Sequence, residues 1–392
     1  MPFYVSRGQI PHKRHTQFRQ PDGTLYREEV LGTRGFSGIE SILYHIFPPT
    51  SVQTVEAIPV TEPAAEPLGP LRHRHFRTAE LATLQDSNVI DAQVFLLAND
   101  DVRLGVGYAG ASMTGFFKNG EEDEVYFIHE GSGTLLSNFG QLDFHSGDYL
   151  VVPAGTVYQF LLERPVRFLL LQTPGQIEVP ARYRNEYGQF LEHAPFCERD
   201  IRVPAFKPPE ERRGSFAVRI KARGGTLTDI VLTHHPFDVV GWDGYVYPYC
   251  FNIGDFEPIT GRVHQPPPVH QTFMGPNFVV CSFVPRLFDY HPQGIPAPYY
   301  HSNIDSDEVI YYVRGNFMSR KGISVASITL HPSGIPHGPH PGTAEASIGK
   351  NKTEELAVML DTFRPLRVLK PALAVEDAGY MYSWRLSNGT DT

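Results

Sequence analysis

The feature that most constrains this chain is a repeat within itself. In the first half, FFKNGEEDEVYFIHEGSG contains Phe117, Glu124 and Gly131; in the second, YYHSNIDSDEVIYYVRGN contains His301, Glu308 and Gly315. All three pairs are offset by 184 residues. Each copy leads from an acidic cluster into a run of Val, Ile, Tyr and Phe, residues that suit a half-buried strand, and a Gly ends the run. A second pair follows. Pro153, Gly155 and Tyr158 in GDYLVVPAGTVYQF match Pro332, Gly334 and His337 in ITLHPSGIPHG, all offset by 179. Each reads as a strand, a Pro-x-Gly turn and a side chain returned from the next strand. Two matched pairs in the same order mark a duplication.

The duplication divides 392 residues into two domains of ordinary size, expected at 1-245 and 246-392. The 35 Gly and 34 Pro are scattered between short apolar runs, so many turns join many short strands and a mainly β fold follows. A net charge of -9 argues against nucleic acid or an anionic membrane as partner, because either favours a basic face. The opening MPFYVSRGQIPHKRH has no apolar signal core, and no later run is long enough to cross a bilayer. Cys197, Cys250 and Cys281 are odd in number and far apart, reading as reduced thiols. A cytoplasmic protein is expected.

The two motif pairs resemble those of the cupins, His-x-His/Asn-x(3,4)-Glu-x6-Gly and Gly-x5-Pro-x-Gly-x2-His. The resemblance implies a double cupin, two jelly-roll-type β-barrels. The N-terminal copy keeps Glu124, Gly131, Gly147, Pro153 and Gly155 but has Phe117 and Tyr158 where a metal-binding copy carries His. The N-terminal barrel is therefore expected to be metal-free, and the C-terminal barrel to bind metal through His301, Glu308 and His337. Period two places Asn303 on the face of His301. Asp307 stands one residue nearer His301, but only Glu308 is in register with Glu124; Asp305 and Asp307 are expected to face solvent. Two imidazoles and a carboxylate on one side of an ion, with open positions opposite, suit non-haem Fe(II), although Zn or Mn suits the same donors. A lone His in a β core is most often a hydrogen-bonded packing residue; three in motif register are not. His331 and His340 flank His337 and either orient a ligand, contact substrate or sit in the loop.

Longer stretches go beyond the cupin pattern. HPFDVVGWDGYVYPYCFNI, DFEPITGRVHQPPPVHQTF, PAPYYHSN and HPSGIPHGP resemble the homogentisate 1,2-dioxygenase family, and IPHKRHTQFRQPDGTLYREEV with GFSGIESILYHIFPPT is similar to the start of its bacterial members. The resemblance implies an Fe(II)-dependent, extradiol-type cleavage of homogentisate by O2 to maleylacetoacetate, a step of tyrosine and phenylalanine catabolism. It places the iron ligands on His301, Glu308 and His337, the proton-accepting His on His264, and a substrate-pocket His on His331. Tyr300, Asn303 and Phe317 join that pocket in this reading. The family also implies a homo-oligomer, a trimer or a hexamer. A neutral imidazole suits the proton-accepting role because its pKa lies near working pH.

One departure bears on substrate. Asn316-Phe317 follows Arg314-Gly315 where the family carries His-Tyr, so a hydroxyl donor is lost from the pocket. A related hydroquinone or gentisate-type substrate is the first alternative. A non-catalytic metal-bearing cupin that binds a small ligand is the second, and a Zn sugar isomerase the third. Of the remaining candidates, His270 and Trp242 read as structural.

Overall fold

The computed structural model describes residues 3–81, 86–315, 317 and 322–385. The protein is mainly β and folds as a double cupin. One compact unit comprises Met1–Glu62, Thr83–Gln93 and Val106–Asn252; the other comprises Pro63–Ala82, Val94–Gly105 and Ile253–Thr392. The main division thus falls at 252/253 rather than 245/246, and two early segments belong to the later unit. The reason is strand pairing over long range. Arg74–Phe76 adds a strand beside Ile328–His331, and Val94–Ala98 pairs with Arg367–Val368.

In the first unit the repeat motif lies on Asp123–Ser137, which pairs with Val157–Thr173 from Asp123↔Thr173 to Ser137↔Tyr158. Asp148–Val152 and Phe116–Asn119 extend this sheet. Aromatic side chains fill its interior: Tyr126, Phe127, Phe144, Tyr149 and Tyr158 are all fully buried. A second sheet orders Val5–Gly8, Val239–Gly244, Glu40–His45 and Arg27–Gly32. Trp242 is buried there and donates its indole N–H to Phe139 O at 2.7 Å, a core role as expected. His45 is held between two acids, its Nδ1 at 2.7 Å from Asp238 Oδ1 and its Nε2 at 3.1 Å from Glu29 Oε2. Burial opposes the imidazolium, yet those two hydrogen bonds and charges push His45 up to about 9.

In the second unit one sheet runs Gln271–Gly275, Phe278–Phe283, Leu356–Thr362, Asp307–Arg314, Ile328–His331, Arg74–Phe76. Its register is Glu308↔His331 on one side and Glu308↔Asp361 on the other. Directly opposed residues share a face, so these three side chains form one inward layer. Ile310, Thr329 and Met359 form the next. Among the described residues no helix is long and apolar enough to cross a membrane.

The duplication is visible in the backbone. Phe117↔Tyr158 in the first unit corresponds to the bridge His301↔His337 in the second. Gly131 and Gly315 both have positive φ, +100° and +114°; a Cβ on Gly131 would stand 2.2 Å from Pro165 O, and one on Gly315 2.9 Å from Glu355 Cα. Gly147 (+90°) corresponds to Ala326, which also holds a left-handed φ of +59°. Asp123 and Asp307 correspond as well. Asp123 accepts from Ala154 N–H and Ile177 N–H, both at 2.9 Å, and Asp307 from Ser333 N–H (2.9 Å) and Leu366 N–H (2.8 Å). Asp307 is therefore buried and does not face solvent as expected from sequence, whereas Asp305 is exposed. The outward face of that strand is covered by the chain near Leu366, which a period-two reading of the strand alone leaves out.

Candidate metal centre

His301 and His337 are joined before any side chain acts. Each donates its backbone N–H to the other's carbonyl at 2.9 Å, forming an isolated antiparallel bridge, so His301 and Asn303 lie outside any extended strand. This bridge sets the two rings 4.2 Å apart, centroid to centroid. Glu308, near the start of Asp307–Arg314, faces them from the strand's inward side. Its Oε2 lies 3.6 Å from His301 Nε2 and its Oε1 3.2 Å from His337 Nε2. One donor atom from each of the three residues falls within a 4.8 Å cluster. Donors about 2.1 Å from one ion stand about 3 Å apart at a right angle, close to these spacings.

The donors also fit a cation energetically. Both ring nitrogens of His337 are buried, and neither makes a hydrogen bond among the described residues: the 3.2 Å approach of Nε2 to Glu308 lies off the bonding direction. Burial pushes the Glu308 carboxyl up, but the imidazoles of His301, His331 and His337 outweigh it and hold the group well below the usual carboxylate range. The first unit shows the contrast. Glu124, at the matching position, accepts from Tyr158 Oη (2.7 Å) and Gln172 Nε2 (2.8 Å), and burial keeps its carboxyl raised. A phenol and an amide stand where ligand and ligand-neighbour stand in the other copy, and that cluster offers no imidazole to an ion. His337 and Glu308 are buried while His301 keeps 31% of its side chain accessible, so the centre opens on the His301 side.

Around the three lies a layer of aromatic and acidic groups. His331 is fully buried and stacks on His337 at 4.5 Å. Its Nδ1 is 2.7 Å from Glu308 Oε1 and its Nε2 3.1 Å from Tyr380 Oη, so both nitrogens are engaged away from the open side. His73 packs edge-on against His331 and His337, with Nε2 at 3.1 Å from Pro336 O. His340 stacks on Trp384 and lies 2.7 Å from Ser383 Oγ. Asp361 flanks Glu308; burial, aided by the charge of Glu308 and opposed by His301, raises its carboxyl to about 7. Sequence reading missed His73, Asp361, Tyr380 and Trp384, none of which belongs to a repeated motif.

The remaining sequence candidates lie at graded distances. Tyr300 is exposed and packs on Gly338, where an added Cβ would stand 2.7 Å from Tyr300 Cδ1. Asn303 is half-buried and its carbonyl accepts from Gly334 N–H at 2.9 Å. Phe317 is buried in an apolar cluster with Tyr312 and Ala357, deeper in the unit; Asn316 lies outside the described residues. His264 is on a loop, half exposed, its ring 5.2 Å from Tyr299, whose ring in turn is 6.1 Å from His301. Asp289 pins this loop by accepting from Gly261 N–H (2.8 Å) and Gln265 N–H (2.7 Å), and stands 3.7 Å from His264 Nδ1. His270 is buried against Phe283, and burial lowers it to about 3, which agrees with a structural role.

The homogentisate 1,2-dioxygenase N-terminal profile matches residues 98–253. The Saccharolobus solfataricus protein named "Putative dioxygenase SSO1533" is 41% identical over 393 residues, covering 99% of this chain and 100% of its own. The chain belongs to the homogentisate 1,2-dioxygenase family. Within this family, the homogentisate 1,2-dioxygenase of Rhodopseudomonas palustris BisB18 is 27% identical over 96% of this chain and 90% of its own. That of Bradyrhizobium diazoefficiens is 27% identical over 64% and 58%. Among solved structures, a cupin 2 conserved barrel domain protein from Leptotrichia buccalis covers 74% of the chain at 11% identity and a TM-score of 0.34. As a member of the homogentisate 1,2-dioxygenase family the protein is a dioxygenase, and His301, Glu308 and His337 form its candidate metal centre.

Proposed function

We propose that His301, Glu308 and His337 hold one Fe(II), and that the protein uses O2 to open the ring of homogentisate, giving maleylacetoacetate. The observation that carries this reading is the convergence of the three donors on the inner wall of the second unit, open on one side. Held by these residues, Fe(II) would supply the Lewis acidity that ionises a phenol and the one-electron chemistry that O2 requires. The reaction adds both oxygen atoms to the ring carbons and, at neutral pH, releases one proton as the new carboxyl group ionises.

His264 takes the phenolic proton on Nε2, since Nδ1 faces the Asp289 carboxylate at 3.7 Å. Tyr300 and Asn303 border the approach on the His301 side, whereas Phe317 packs in its apolar cluster and offers no donor. His331 serves the pocket through Glu308, whose carboxylate it fixes. Phe317 keeps gentisate-type hydroquinones as a second substrate reading, because a neighbouring hydroxyl no longer answers the substrate there.

The test is O2 uptake by anaerobically Fe(II)-loaded protein on adding homogentisate. Uptake matched to ring-opened product is expected, abolished in His337→Ala and slowed about a hundredfold or more in His264→Ala. Full iron loading without uptake sinks homogentisate and moves the assay to gentisate; silence with both leaves a ligand-binding cupin.

A further inference from the structure

We propose that Asp361 is a specificity-determining residue that accepts a hydrogen bond from a ring hydroxyl of the bound substrate, a role that rests on the ring-cleavage reading above. Asp361 sits directly opposite Glu308 on the neighbouring strand, so both carboxylates point to the same interior. On its far side Glu308 is fixed by His331. Asp361 has no such neighbour: its Oδ1 is buried and makes no hydrogen bond among the described residues. A buried acceptor left unmade is costly, and the expense persists only where something else fills it or where the position serves a ligand.

The duplicated unit shows what a closed version of this position looks like. There the residue opposite Glu124 on the same strand pair is Gln172. Gln172 donates to Glu124 Oε1 at 2.8 Å and accepts from Lys221 Nζ at 2.7 Å, so both ends of its amide are used. An ionised Asp361 cannot donate to Glu308 as the Gln172 amide donates to Glu124, and two ionised carboxylates side by side repel. In the first copy protein donors satisfy this layer; in the second it presents an open acceptor beside the metal donors. The group it suits is a neutral hydroxyl donor. The group it disfavours is a second carboxylate, which turns the acid arm of a hydroxyphenyl acid away from this wall, towards the open His301 side.

The test reads binding rather than turnover, on oxygen-free protein loaded with Co(II). Homogentisate and gentisate are each compared with the analogue lacking one ring hydroxyl, 2-hydroxyphenylacetate and salicylate. Wild-type protein is expected to prefer the two-hydroxyl ligands. Asp361→Ala should shrink that preference about tenfold to a hundredfold, and Asp361→Asn by less, since its amide oxygen still accepts. Removing a negative charge shifts all these anionic ligands alike and cancels in the ratio. An unchanged Co(II) absorption band and stoichiometry confirm that the metal donors are undisturbed, and Asp361→Asn serves if the alanine variant does not fold. Equal changes for both members of a pair, or no wild-type preference at all, overturn the assignment. A preference that depends on Asp361 without O2 uptake by the iron form leaves it standing and removes the ring-cleavage reading instead.

Discussion

The charged state of His45 gives a prediction whose size follows from the structure. The ring is buried between Asp238 and Glu29, with Lys118 beside Glu29 and His234 near both His45 and Asp238. Its proton affinity rises from the ordinary 6.5 to about 9 because two hydrogen-bonded carboxylates outweigh the burial that opposes charge. That rise is worth about 3 kcal/mol of stability. Because the folded value lies above the unfolded one, the contribution is complete below pH 6.5. About 2–3 kcal/mol of it remains at pH 7, and it is lost as pH rises through 9. His45→Gln cannot carry the charge, so the stability gap between wild type and variant should narrow by about 3 kcal/mol from pH 6 to pH 10. In scanning calorimetry of a unit this size, that is about 6–12 °C of narrowing in the melting temperature. Parallel curves for the two proteins across that range refute the argument, since the imidazolium then contributes nothing.

Two further perturbations test how the metal centre is supported. Asp307→Ala strips two backbone N–H groups of a buried carboxylate, Ser333 N–H and Leu366 N–H, and should cost about 3 kcal/mol or more while weakening metal binding, because Ser333 lies in the turn leading to His337; Asp123→Ala, the same change in the first copy, should leave metal binding untouched in a Co(II) titration. Tyr380→Phe removes the hydroxyl that holds His331 Nε2 and should weaken Co(II) binding about tenfold with little loss of helix or strand signal in circular dichroism.

The three candidate metal donors were legible because a duplication supplies its own alignment: Glu308 answers Glu124, and His301 and His337 answer Phe117 and Tyr158. The same alignment pairs Asp307 with Asp123, yet a single-strand view assigned Asp307 to solvent. Alternation tells which face a side chain takes; it does not tell whether that face is covered. His73, Tyr380 and Trp384 were illegible for a different reason. They reach the imidazole layer from about 260 residues before His331 and about 50 after it, through pairings that no local pattern encodes. Residues 74–76 likewise form a strand through their pairing with Ile328–His331, a partner more than 250 residues on.

The paired backbone hydrogen bonds between His301 and His337 also govern how this site can change over time. They close a neck on the chain between the two histidines, which carries the strands Asp307–Arg314 and Ile328–His331. The strands themselves are held by the register that presents Glu308, while changes of length between them leave the imidazoles joined at that neck. Its counterpart at Phe117 and Tyr158 keeps the same strand register with no histidine to present. One backbone register thus serves two different chemistries, set apart by side chains alone.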